Sequence, residues 1–316
     1  MRAILAALLA NIGIAITKFI AAAISGSASM LAEAIHSVAD SGNQFLLIIG
    51  GKRAKRAATA THPFGYGRSR YIYAFMVSIV LFSIGGMFSL FEGVQKLSEP
   101  HELENAWLPL TVLGVAIVLE SFSLRTALHE AKKARGKTSL VKYIRHAKSP
   151  ELPVVILEDL AALLGLVFAF AGVSLTVLTH DPIFDAYGTL AIGALLILVA
   201  IILGAETSSL LVGEGATADD TALIRDALEV VVGKGGVIHM KTLYLGPEEL
   251  MLGAKISIAK NATGEDVAET INAAEESVRN AVPATRVIYL EPDIKRASPR
   301  KKPSTAKSSP ARARQK

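Results

Sequence analysis

The stretch AEAIHSVADSGNQ, residues 32–44, lies inside an apolar run long enough to cross a bilayer. It nevertheless holds Glu33, His36 and Asp40, with Ser37, Ser41, Asn43 and Gln44 among them. An ionisable group at the centre of a span costs about 2.5–3.5 kcal/mol on insertion scales, so such groups face the bundle interior and mark a pathway. Residues four apart share one face of a helix. His36, Asp40 and Gln44 form such a row, flanked by Glu33 and Ser37. This helix therefore carries one polar stripe on an otherwise apolar surface.

The rest of the chain fits a membrane setting. Of its 316 residues 51% are hydrophobic, and the mean hydropathy is +0.43, more apolar than a soluble protein of this size. Six apolar runs read as membrane helices, at about 4–24, 29–50, 71–95, 107–129, 152–178 and 185–210. Arg2 precedes a long apolar run with no clear cleavage site, so that run reads as the first span rather than a signal peptide. Cysteine is absent, which excludes disulfides and thiolate metal sites.

Lys and Arg concentrate in three segments: 52–70, 125–148 and the tail after 294. The connections after the first, third and fifth runs are nearly free of them. The positive-inside rule then places both termini in the cytoplasm.

After about residue 212 the pattern changes. Thr217 with Asp220, and Thr263 with Asp266, match helix-capping signatures. Between them ELMLGAKISI alternates, with Leu250, Leu252, Ala254, Ile256 and Ile258 on one face, the mark of a half-buried strand. GVIHMKTLYL and TRVIYLE also read as strands. The order α-β-β-α-β predicts a small α+β domain with its helices on one sheet face. The fold class is thus an α-helical membrane protein: a six-helix bundle over 1–211, a cytoplasmic α+β domain over 212–294, and a basic tail over 295–316. That tail lacks apolar periodicity and reads as disordered, either solvated or touching anionic lipid headgroups.

Histidine with carboxylate is a ligand set for a borderline divalent cation such as zinc, which prefers four donors in tetrahedral array. One helix supplies two, His36 and Asp40. The fifth run, LEDLAALLG, offers Glu158 and Asp159. A metal between the second and fifth spans would neutralise these carboxylates. The competing reading is a hydrogen-bonded network that glues helices together. Asn11, Lys18, Glu92 and Glu120 each stand alone in their spans, where packing or snorkelling explains them at least as well.

SGSASMLAEAIHSVADSGNQ, followed by HPFGYGR and DPIFDAYGTLAIG, resembles the cation diffusion facilitators over residues 4–293. HSVAD and LED are most similar to the branch of the mitochondrial zinc exporters and their bacterial relatives. The resemblance implies a six-span transporter with a metallochaperone-like cytoplasmic domain, acting as a homodimer in a bacterial inner membrane. It implies export of a divalent metal ion in exchange for protons, zinc first, with manganese, iron and cobalt as alternatives.

The family's transport site has two ligands four apart on each of spans 2 and 5. His36, Asp40 and Asp159 match three of these positions. The fourth falls at Val155, which cannot bind metal. Glu158 is the nearby candidate, although adjacent residues on an ideal helix point about 100° apart. The family's loop site retains His62 only, with Thr59 and Tyr66 at the other positions. In the soluble domain His239 and Glu291 fall where relatives place ligands, beside Tyr289.

No resident cofactor and no enzyme activity are expected. HExxH is absent, Glu33 and His36 do not supply its spacing, and no GxxxxGK[ST] loop is present to use ATP. The membrane tether argues against nucleic acid as a partner of the basic tail. A non-transporting sensor or scaffold is the remaining class.

Overall fold

The computed structural model describes residues 2–99, 105 and 107–294, with side chains described from residue 12 onward. The expected disordered tail, 295–316, and the side chain of Asn11 lie outside the described residues.

Most of the chain is helical. The long helices are α1 (Arg2–Ser25), α2 (Ala28–Ala54), α3 (Ser69–Val80) continuing through a π-helical stretch (Leu81–Met87) into α4 (Phe88–Ser98), α5 (Trp107–Arg135), α7 (Glu151–Thr179) and α8 (Ile183–Val212). A short helix, α6 (Leu140–His146), stands between α5 and α7. Among the described residues four helical stretches are long and apolar enough to cross a membrane: Ser69–Ser98, α5, α7 and α8. The described apolar part of α1, Ile12–Ser25, is shorter. The polar stripe of α2 and its basic end at Lys52 and Arg53 lower its hydropathy.

Large apolar side chains such as Val118, Phe122, Phe91 and Ile201 project outward, as a lipid-facing surface requires. The inward faces of α2, α3, α5, α7 and α8 build one core around Met30, Leu81, Leu113, Leu166, Ile192 and Leu196. The π-helical stretch packs at Gly85 and Gly86 against Leu196 and Ile197 of α8, and a Cβ at Gly86 would lie 2.5 Å from Ile197 Cγ1 and 3.2 Å from its backbone nitrogen.

Sequence reading treated 125–148 only as a basic segment. In the structure α6 folds back within it, capped by Ser139, whose hydroxyl accepts from the Lys142 N–H. Leu140, Tyr143 and Ile144 of α6 pack with Val155 and Ile156 of α7 and with Ala127 and Ala131 of α5. Position 155 thus serves an apolar cluster, which explains a valine there.

The C-terminal elements run α9 (Ala218–Val232), β1 (Val237–Gly246), β2 (Glu249–Ser257), α10 (Gly264–Ala281) and β3 (Thr285–Asp293). The sheet order is β1-β2-β3, with β2 antiparallel to β1 and parallel to β3. Leu250, Leu252, Ala254 and Ile256 alternate into a core with Ile224 and Leu228 of α9 and Ala274 and Val278 of α10. The Thr217 and Thr263 hydroxyls each accept from the N–H three residues on, and Asp266 completes a full capping box.

This module meets the helical part closely. A Cβ at Gly67 would lie 2.7 Å from the Leu245 carbonyl oxygen, so the loop after α2 can approach β1 only with glycine there. Glu214 forms a second joint. It pairs with Lys148, accepts from Ser209 Oγ at 2.5 Å, and its backbone oxygen accepts from the Tyr244 N–H at 2.8 Å.

Candidate functional site

α2 carries the polar stripe into the helix core. His36 is buried, and its Nδ1 lies 3.4 Å from Asp40 Oδ1, one turn on. Neither ring nitrogen of His36 has a hydrogen-bond partner, nor has the buried Asp40 Oδ1. Buried polar atoms are normally paired. A histidine with both nitrogens unpartnered, facing a carboxylate, is therefore suited to a ligand or a proton rather than to gluing helices.

The acids of α7 approach this pair from two directions. Glu158 is buried toward α2, and its Oε1 accepts from Asn43 Nδ2 at 2.7 Å. Asp159 turns toward α5, where its Oδ2 accepts from Ser123 Oγ at 2.9 Å. Adjacent helical residues point about 100° apart, so the two reach different neighbours. Asp40 is near enough to feel the charge of both. His36 and Asp40 are in direct proximity. Among the described residues no group of three His, Asp or Glu side chains is drawn together tightly enough to hold a metal ion. Asn43 holds Glu158 and Ser123 holds Asp159.

Two side chains read as solitary are not. Lys18 Nζ of α1 lies 3.2 Å from Glu33 Oε2, both buried, and donates to the part-buried Ser37 Oγ at 2.7 Å. This is a buried ion pair between two helices, not a snorkelling lysine. Glu33 in turn lies against Gly165 of α7, where any Cβ would meet its carboxylate. Glu120 of α5, one turn before Ser123, lies within charge range of Asp159 and Asp40. Sequence reading placed Asn43 in the stripe without a partner, treated Glu120 as solitary and passed over Ser123, because the importance of each lies in which helix it faces. The available signal was polarity at one-turn spacing within apolar runs.

At the opposite end of α2 from its basic residues, a carboxylate from α8 caps the helix. Asp185 accepts from the Ala28 N–H at 2.7 Å, the Ser29 N–H at 3.3 Å, Ser27 Oγ at 2.8 Å and also Ser29 Oγ. All of these groups are buried. An anion on the positive end of a helix is favourable, and this cap gives SGSAS and DPIFDAYG one shared physical purpose.

The loop and sheet positions have other occupations. His62 stacks on Tyr66 with ring centroids 4.5 Å apart, and its backbone N–H donates to Thr59 Oγ1 at 3.1 Å. In the sheet, His239 pairs in register with Lys255, which pairs in register with Glu291. Lys255 Nζ lies 2.8 Å from Glu291 Oε1 and 3.3 Å from Asp293 Oδ2. An ammonium group thus stands between the histidine and the acids.

Sequence comparison agrees with this architecture. The family described as "Cation efflux transmembrane domain" matches residues 4–212. The human "Proton-coupled zinc antiporter SLC30A9, mitochondrial" is 31% identical over 241 residues, covering 76% of this chain and 42% of the relative. "Metal tolerance protein C4" of Arabidopsis thaliana is 30% identical over 257 residues, covering 81% and 56%. "Magnetosome protein MamM" of Paramagnetospirillum magneticum is 24% identical over 300 residues, covering 93% and 88%. The chain spans about half the length, or less, of the first two. With a family match over most of its length and apolar helices to cross a bilayer, the chain is a membrane protein and belongs to the cation efflux family of transporters.

Proposed function

We propose that the chain is a proton-coupled antiporter that exports a divalent cation, zinc foremost, through a site on α2 and α7. The observation that carries this reading is the buried, unpartnered His36 imidazole facing Asp40. Metal ligands must be deprotonated, so metal and protons compete for the same atoms. His36 and Asp40 supply two donors. Asp159 supplies a third by leaving Ser123, and Glu158 or water supplies the fourth by leaving Asn43. Metal entering from the cytoplasm displaces protons, the helices shift to open outward, and protons from the far side displace the metal.

The human and plant relatives' printed names, a zinc antiporter and a metal tolerance protein, support zinc or another divalent metal. A second reading, manganese or iron, is favoured by the donor set. The candidate donors are one imidazole, His36, and the carboxylates of Asp40, Asp159 and Glu158, and oxygen-rich sites suit harder ions. We further propose six spans, a homodimer joined through residues 212–294, and a bacterial inner membrane with the basic segments and both termini on the cytoplasmic side.

The test is zinc and manganese flux into proteoliposomes under an imposed pH gradient, wild type beside Asp40→Ala and Asp159→Ala. Flux that disappears with the gradient and in both variants supports the reading. Flux unchanged in both variants overturns the site.

A further inference from the structure

A cavity of about 700 Å³ opens where the loop after α2, the start of α3 and the sheet of the C-terminal module meet. Its walls are apolar, including Phe64, Ile72, Met76 and Leu245, and two arginines, Arg53 and Arg68, stand among them. Phe64, Ile72 and Met76 are each at least 40% exposed. The charged side chains lining it are basic, with no Asp or Glu among them. Arg68 Nε is buried without a partner. Among the described residues neither guanidinium forms a side-chain hydrogen bond or ion pair, whereas nearby Arg70 is paired with Glu151 at 3.3 Å.

The location identifies the occupant. Ile72 and Met76 lie one turn apart on the outer face of α3, within the apolar stretch Ser69–Ser98. Arg53 lies in the last turn of α2. Apolar side chains therefore give way to arginine across this cavity, matching the passage from acyl chain to headgroup within one lipid. A forked guanidinium matches phosphate oxygens, and Ile72 and Met76 offer a track for a chain. The chain's own residues after 294 carry only basic charges and would be repelled.

We propose that this cavity is a binding site for one anionic phospholipid, its phosphate held by Arg53 and Arg68 and an acyl chain lying along Ile72 and Met76. The lipid bridges the helical part and the C-terminal sheet, because Leu243, Leu245 and Met251 of β1 and β2 line the same cavity. The proposal is independent of the transport site and of the identity of the metal.

The protein has one tryptophan, so the full chain with Trp107→Phe and Met76→Trp carries a single reporter in the cavity wall. It is placed in phosphatidylcholine vesicles doped with brominated phosphatidylglycerol or brominated phosphatidylcholine. The expected result is preferential quenching by the anionic lipid, with a preference that falls roughly 10- to 30-fold in Arg53→Gln/Arg68→Gln. Arg125→Gln/Lys132→Gln, on the basic end of α5, should leave it unchanged. Arg53 is exposed, so Arg53→Gln alone gives a folded variant with a partial loss should the double variant not fold. Equal quenching by the two lipids overturns the proposal. So does a reporter shielded from both lipids, which would mean a second copy covers the cavity. Displacement of the anionic lipid by millimolar inorganic phosphate would mean a free-anion site and also overturns it.

Discussion

Two regions of this molecule set a histidine beside acids, and they resolve the charge in opposite ways. On the sheet, His239, Lys255 and Glu291 stand side by side on neighbouring strands, and the lysine supplies a permanent cation between them. In the helix core, His36 faces Asp40 with no fixed cation between them, and their facing atoms lack hydrogen-bond partners. Lys18 is close by but is already engaged with Glu33 and Ser37. The sheet is balanced by the chain's own atoms. The core pair has no such fixed cation between its facing atoms.

The largest effect should follow from removing that pair. His36→Ala or Asp40→Ala should lower proton-driven zinc flux by more than about 100-fold, beyond the 10- to 100-fold typical of an outer-sphere change. Flux within tenfold of wild type would show that the core pair, like the sheet, is already satisfied.

The next largest concerns the fixed pair beside it. Lys18→Met leaves Glu33 buried and unpaired, which should cost about 3–5 kcal/mol of stability. Thermal unfolding in detergent measures this, and Lys18→Met/Glu33→Met should recover most of the loss. No recovery in the double variant would mean that the two do not act as a pair.

The sheet should be convertible. Neighbouring side chains on paired strands have Cβ atoms about 4.5–5.5 Å apart. Lys255→His would remove the ammonium and place a second imidazole between His239 and Glu291. Zinc titration of the full chain carrying Asp40→Ala should then gain a binding step that Asp40→Ala alone lacks. A binding step at the sheet before the substitution would break the comparison.

The smallest effect concerns the joint between the two regions. Burial raises the Glu214 pKa, but hydrogen bonds from Lys148 and Ser209 outweigh it and hold the carboxyl below its ordinary value. A carboxylate depressed in the folded state contributes stability above its unfolded pKa, about 4.3. That contribution is lost as pH falls through the folded value. The thermal midpoint of Glu214→Gln should therefore lie slightly below wild type at pH 7, by the equivalent of at most about 1 kcal/mol for a partly exposed pair. The gap should close on acidification below pH 4. A gap that persists there would assign the effect to packing.

What the sequence made legible was whatever is encoded along a single element. The stripe of α2 is written at four-residue spacing, the caps at Thr217 and Thr263 at three, and the alternation of β2 at two. Contacts between elements were not legible. Lys18 and Glu33 are both visible as charges, but nothing in the string says that α1 and α2 turn them toward each other. The same holds for Asn43 with Glu158 and Ser123 with Asp159. Lys255 looked like an ordinary outward residue of β2 until strand register set it between His239 and Glu291. The seven-residue α6 is too short for its periodicity to stand out from a basic segment, and its packing partners come from α5 and α7. Val155 looked like a missing ligand in one dimension and is a packing residue in three.

The Asp185 cap has a consequence for motion. Four donors from the first residues of α2 and its cap converge on one carboxylate of α8, so sliding these helices past each other would strip a buried anion of its partners. At that end the two helices behave as one stiff lever. Any rearrangement that alternately exposes His36 and Asp40 to the two sides of the membrane must pivot elsewhere, with α2 and α8 swinging together against the remaining helices.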